Sequence, residues 1–117
     1  MVNMTTERFD NYVILHLEGD FVGSEDVDKL RDMFRAIAQD SNNLIIDLKN
    51  VSYLNSTSLG ALLSANAMFE KKGGKALVCS LSDYLKNIFS ITKLTLIFTL
   101  YDNCDEAIKS LWLTFIS

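Results

Sequence analysis

Between Val51 and Phe69 the chain carries no charged side chain, although 22% of its 117 residues are charged. Just ahead of this stretch, residues 44–48 read LIIDL, a nearly continuous apolar run too short for a helix, as in a strand buried on both faces. Asn55, Ser56, Thr57 and Ser58 come next, residue types that open helices because their side chains satisfy free backbone N–H groups. Residues 58–72 then place Leu59, Leu62, Leu63 and Phe69 among Ala61, Ala65, Ala67 and Met68, so apolar groups occur almost all round the helix. Such a helix is either buried on both sides or keeps one face for a partner. Gly73-Gly74 ends it and turns the chain.

The flanking segments repeat this alternation of short apolar runs and amphipathic stretches. In residues 11–18 (NYVILHLE), Val13, Leu15 and Leu17 share one side while Tyr12, Ile14, His16 and Glu18 share the other, which predicts a strand. The more polar residues 2–8 predict an edge strand joined to it through a turn near Asp10-Asn11. Ser24 is the expected cap of a first helix whose stripe is Val27, Leu30, Phe34, Ile37 and Ala38. Residues 75–79 (KALVC) read as a buried strand, Ser82 as the cap of a short helix with Leu85, Ile88 and Phe89, and residues 96–100 (LIFTL) as the last strand. Asn103 with Glu106 resembles a capping box for a final helix carrying Ala107, Ile108, Leu111 and Trp112. The order ββαβαβαβα predicts an α/β fold: a mixed, mostly parallel sheet with an N-terminal edge hairpin and helices mainly on one face. With 49% hydrophobic residues, no proline and no repeat, residues 1–117 are expected to form a single domain.

Composition removes several function classes. A net charge of −4 without a basic cluster argues against nucleic acid and anionic lipid as partners. No N-terminal signal pattern and no spanning segment is visible, so the protein is expected in the cytoplasm, not inserted in a membrane. Cys79 and Cys104 lack metal-ligand spacing and read as idle thiols in a reducing compartment. The single histidine, His16, sits mid-strand and reads as structural or exposed. Asp20 and Asp47, at strand ends, read as turn or cap residues. With no nucleophile elbow, zinc helix, dinucleotide loop or phosphate loop, neither a catalytic site nor a cofactor is expected. A nucleotide-binding reading would rest on the helix mouth alone.

The hydroxyl cluster admits two readings. Ser56, Thr57 and Ser58 can simply help to cap the helix. Equally, a phosphate placed there would meet free N–H groups and the positive end of the helix dipole, adding about −1.5 to −2 charges to an otherwise uncharged surface.

IIDLKNVSYLNSTSLGALLSA resembles the signature of the STAS domain family (sulfate transporter and anti-sigma factor antagonist), whose pattern reads approximately DLSxVxxxDSSGLGxLL. LEGDF before the first helix, GGKALVCSLS after the second and LKNIFSITKLTLIFTLYDNCDEAI near the end are similar in order and spacing. A stand-alone domain of this size resembles the bacterial anti-sigma factor antagonists. The resemblance implies a non-enzymatic protein that, unphosphorylated, binds an anti-sigma factor with serine/threonine kinase activity and so controls sigma-factor-dependent transcription, with a PP2C-type phosphatase reversing the mark. Laid on this sequence, the family's phosphorylated position is Thr57, with Ser56 and Ser58 as alternatives. Asn55 replaces the usual aspartate and Ser58 the usual glycine.

The partner-binding surface is accordingly expected to comprise Asn55, Ser56, Thr57, Ser58, Leu59, Leu62 and Asn66. The alternative is an unphosphorylated structural subunit, resembling the STAS component of a phospholipid-transport ABC system or a signalling scaffold. The apolar tail, with Trp112, Phe115 and Ile116, is a candidate homodimer contact.

Overall fold

The computed structural model describes residues 2–116, with side chains described for residues 2–113. The chain runs β1 (Asn3–Arg8), β2 (Val13–Glu18), α1 (Ser24–Asp40), β3 (Asn43–Asn50), α2 (Ser56–Lys71), β4 (Lys75–Cys79), α3 (Asp83–Ile91), a 3-10 turn (Leu94–Leu96), β5 (Leu100–Tyr101) and α4 (Cys104–Ile116). The five strands form one sheet in chain order. β1 and β2 pair antiparallel through a turn closed by the Phe9 N–H on the Tyr12 carbonyl, whereas the remaining neighbours are parallel and are joined across helices.

Alternation along the strands assigns each residue to one of two cores. Val13, Leu15 and Leu17 of β2, Leu44, Ile46 and Leu48 of β3, and Ala76 and Val78 of β4 meet the stripes of α1, α2 and α3 on one face. Ile14, Ile45, Leu77 and Cys79 point to the other face, where Ala107 and Leu111 of α4 cover them. Three helices thus share a face, as the pattern predicts. Among the described residues, α4 is the one helix on the opposite face.

Two local expectations are corrected. Ser24 is the first residue of α1 rather than its cap; Gly23 takes the cap position, without a side-chain bond, and the acidic Glu25 and Asp26 face the helix's positive end. LIFTL is not a strand, because Leu94 and Phe98 are buried while Leu96, between them, is 82% exposed. That spacing of four is helical: Lys93 enters the left-handed region (φ 63°), the chain makes a 3-10 turn, and Phe98 packs against Phe89 with ring centroids 6.1 Å apart. Only Leu100 and Tyr101 remain to pair with β4.

The caps expected at Ser82 and Asn103 form: Ser82 Oγ accepts from the Leu85 N–H and Asn103 Oδ1 from the Glu106 N–H. After α2, Gly73 adopts φ +83° and Gly74 passes against the Asn42 carbonyl. Asn43, buried at the start of β3, ties this corner together by donating to the Asn11 carbonyl and accepting from the Lys75 N–H.

Candidate functional site

β3 delivers the chain to the mouth of α2 through a short turn fastened by Asp20, whose Oδ1 accepts from Ser52 Oγ and the Tyr53 N–H. Asn55 caps α2 in a reciprocal box. Its Oδ1 accepts from the Ser58 N–H at 3.0 Å, and its own N–H donates to Ser58 Oγ at 2.9 Å. Ser58 Oγ also donates to Asn55, and Asn55 Nδ2 donates to the Val22 carbonyl. The two departures from the family signature are therefore partners in one device. We expect Asn55→Ala to lower stability by about 1–2 kcal/mol in urea unfolding, since the side-chain half of the box and the bond to the Val22 carbonyl are lost while the backbone N–H to Ser58 Oγ remains.

That box sorts the three hydroxyls. Ser58 is fully buried, so a phosphate there would have to break the cap, and Ser58 is corrected from candidate acceptor and contact residue to structural element. Ser56 and Thr57 are exposed, in the first turn, where no intrahelical carbonyl can serve their N–H groups. Leu59 and Leu62 are buried in the main core, at 7% and 0% exposure, and are likewise withdrawn as contact residues. Asn66 is buried, donates to Glu70 Oε1 and lines a shallow cleft with Ile97 and Tyr101.

The outward surface of α2 instead presents Ser56, Thr57, Leu63, Ser64 and Ala67. Arg31 of α1 donates to Ser64 Oγ at 3.2 Å. Beside the helix mouth, Val22, Tyr53 and Tyr84 are each more than two-fifths exposed, and the two tyrosine rings lie 6.0 Å apart. Sequence periodicity missed these three because they come from separate loops and a different helix. What they share is being apolar side chains left in water.

A second polar cluster crosses the opposite face. His16 Nδ1 meets Asp47 Oδ2 at 2.6 Å and His16 Nε2 meets Glu7 Oε1, so the ring bridges β1, β2 and β3. Asp47 Oδ1 accepts from the Lys49 N–H, the turn role expected of it. Partial burial alone would lower the His16 pKa, but the hydrogen bonds and charges of Asp47 and Glu7 outweigh it and raise it above 6.5. The resulting stabilisation is fully present below the unfolded value of 6.5 and is lost as pH rises through the raised folded value. His16→Gln is expected to flatten the pH dependence of the urea midpoint in that window.

Asp47 also lies within 4.8 Å of the sulfurs of Cys79 and Cys104, which are themselves 2.7 Å apart. Both cysteines are free thiols. Trp112 is 55% exposed, while the side chains of Phe115 and Ile116 lie outside the described residues. Among the described residues no helix is long and apolar enough to cross a membrane.

A family model described as the STAS domain matches residues 3–107. The chain is 33% identical to the anti-sigma-B factor antagonist of Bacillus subtilis (strain 168) over 94 residues, covering 80% of this chain and 84% of that protein. Among solved structures, an anti-sigma factor antagonist from Mycobacterium paratuberculosis superposes with a TM-score of 0.80 at 24% identity, covering 94% of this chain and 93% of that one. The Bacillus anti-sigma factor antagonist SpoIIAA in its unphosphorylated form gives 0.75 at 17% identity, over 93% and 97%. SpoIIAA also has a solved phosphorylated form.

Proposed function

Because this chain belongs to the STAS domain family, we propose that it is an anti-sigma factor antagonist, a binding protein that docks an anti-sigma factor at the mouth of α2 and is switched by phosphorylation of Thr57. The observation that carries the reading is the sorting of the hydroxyls. Thr57 stands exposed on an uncharged helical surface, while Ser58 beside it is locked in the cap. Ser56, equally exposed, is the remaining alternative acceptor.

The docking surface comprises Ser56, Thr57 and Leu63 of α2 with Val22, Tyr53 and Tyr84 beside it, and Asn55 holding the turn underneath. Aromatic rings and small uncharged side chains desolvate at little cost, which suits them to the centre of an interface. A phosphate on Thr57 would sit favourably at the helix N-terminus within this molecule. In the complex it would have to lose its water or hold the partner away. The same modification therefore leaves the fold intact and opposes association.

The partner in this reading is an anti-sigma factor with serine/threonine kinase activity, and a PP2C-type phosphatase resets the switch. Incubation with ATP and that kinase, followed by peptide mapping, is expected to place a single phosphate on Thr57. Absence of phosphate from both Thr57 and Ser56 removes the switch and favours an unphosphorylated scaffold.

A further inference from the structure

Cys79 and Cys104 stand 25 residues apart in the chain and meet only because β4 ends beneath the start of α4. Cys79 is fully buried with Ile14, Ile45, Leu77 and Ala107. Cys104 is the first residue of α4 and is half-buried, so solvent reaches one residue of the pair and not the other. We propose that Cys79 and Cys104 form a redox-active dithiol that closes to an intramolecular disulfide on reaction with a hydroperoxide, Cys104 attacking first and Cys79 resolving.

A disulfide requires two Cβ–Sγ vectors that converge, with a final S–S distance of about 2.04 Å. Here the sulfurs face each other at 2.7 Å, a gap that side-chain rotation of the half-exposed partner can close. The pair is also electronically unequal. The hydrogen bond from Cys79 lowers the Cys104 pKa against the opposing effects of burial and the Asp47 charge, and His16 lowers it further. The same hydrogen bond, together with burial, raises the Cys79 pKa. Cys104 is therefore the more acidic thiol of the pair.

The chemistry balances with the hydroperoxide as the only oxidant. The Cys104 thiolate attacks the peroxide oxygen and the O–O bond breaks. This gives a sulfenic acid at Cys104 and an alkoxide or hydroxide that takes a proton from water. Cys79 then loses its proton and attacks the sulfenic sulfur, forming the S–S bond as hydroxide departs and is neutralised to water. Two electrons pass from the thiol pair to the peroxide. The bond fastens the end of β4 to the first turn of α4, on the sheet face opposite α2.

The test uses the full, reduced chain treated with stoichiometric hydrogen peroxide, then alkylated without reduction. Expected are the loss of two hydrogens from the monomer mass, a linked peptide containing both cysteines, protection of both from alkylation, and reversal by dithiothreitol. Cys79→Ser is expected to leave Cys104 as a sulfenic acid trapped by dimedone, with Cys79→Ala giving the same result should serine at that buried site prevent folding. Cys104→Ser is expected to leave Cys79 unreacted. Two thiols still open to alkylation after peroxide, a sulfinic acid at Cys104 beside a free Cys79, or disulfides only between two copies would each overturn the proposal. So would one equivalent of bound zinc in the purified chain that blocks oxidation until chelated. In that case Asp47, Cys79 and Cys104 would be a cation site instead.

Discussion

Thr57→Glu is expected to weaken binding to the anti-sigma factor by about 100-fold or more, because an unpaired charge buried in an interface costs upwards of about 3 kcal/mol and each tenfold in affinity corresponds to about 1.4 kcal/mol. The melting temperature should stay the same or rise slightly. Thr57 lies in the first turn of α2, where a carboxylate faces the positive end of the dipole and N–H groups without intrahelical partners. Thr57→Ala is expected to retain affinity and to lose the response to the kinase. Titration calorimetry of the three proteins against the anti-sigma factor, with thermal melts alongside, separates a switch from a folding defect. Equal affinity of the glutamate variant and the parent chain would exclude Thr57 from the interface.

The largest stability effect is expected at Gly74. A methyl group there would stand 1.5 Å from the Asn42 carbonyl oxygen and 3.2 Å from Asn43 Oδ1, so the backbone itself must move. Asn43 is the residue that fastens the Asn11 turn to the start of β4, and the displacement would pull on both bonds. We expect Gly74→Ala to cost about 4 kcal/mol or more in urea unfolding, the range of severe overpacking combined with broken buried hydrogen bonds. Gly60 is the internal comparison. A Cβ there meets only Arg31 Nη2, at 3.8 Å, and Gly60→Ala is expected to stabilise α2 by about 0.5–1 kcal/mol through helix propensity.

Local chemistry was readable wherever it acts within about one helical turn. The stripe of α1, the alternation in β2, the caps at Ser82 and Asn103 and the glycine exit from α2 all follow from residues three or four positions apart. The family signature located the helix mouth. It could not say which of its hydroxyls is accessible, since the pattern carries glycine where this chain has Ser58. Leu59 and Leu62 were misassigned for a related reason: a helix apolar almost all round gives a weak guide to which side meets the sheet. LIFTL failed because its apolar run fits either period, and the packing of Phe98 on Phe89 selected the helical one.

From the order of residues alone came the alternation of strands and helices, the antiparallel start and the polar cluster in which α2 opens, because hydrophobic period and hydrogen-bonding side chains act on their immediate neighbours. Tertiary packing alone decided that Leu59 and Leu62 turn inward while Leu63 faces water, that His16 lies between Glu7 and Asp47, and that Cys79 meets Cys104. Those pairings depend on strand register and on the docking of α4 across the sheet. Both are set by burying two apolar faces at once, a condition no local segment can express.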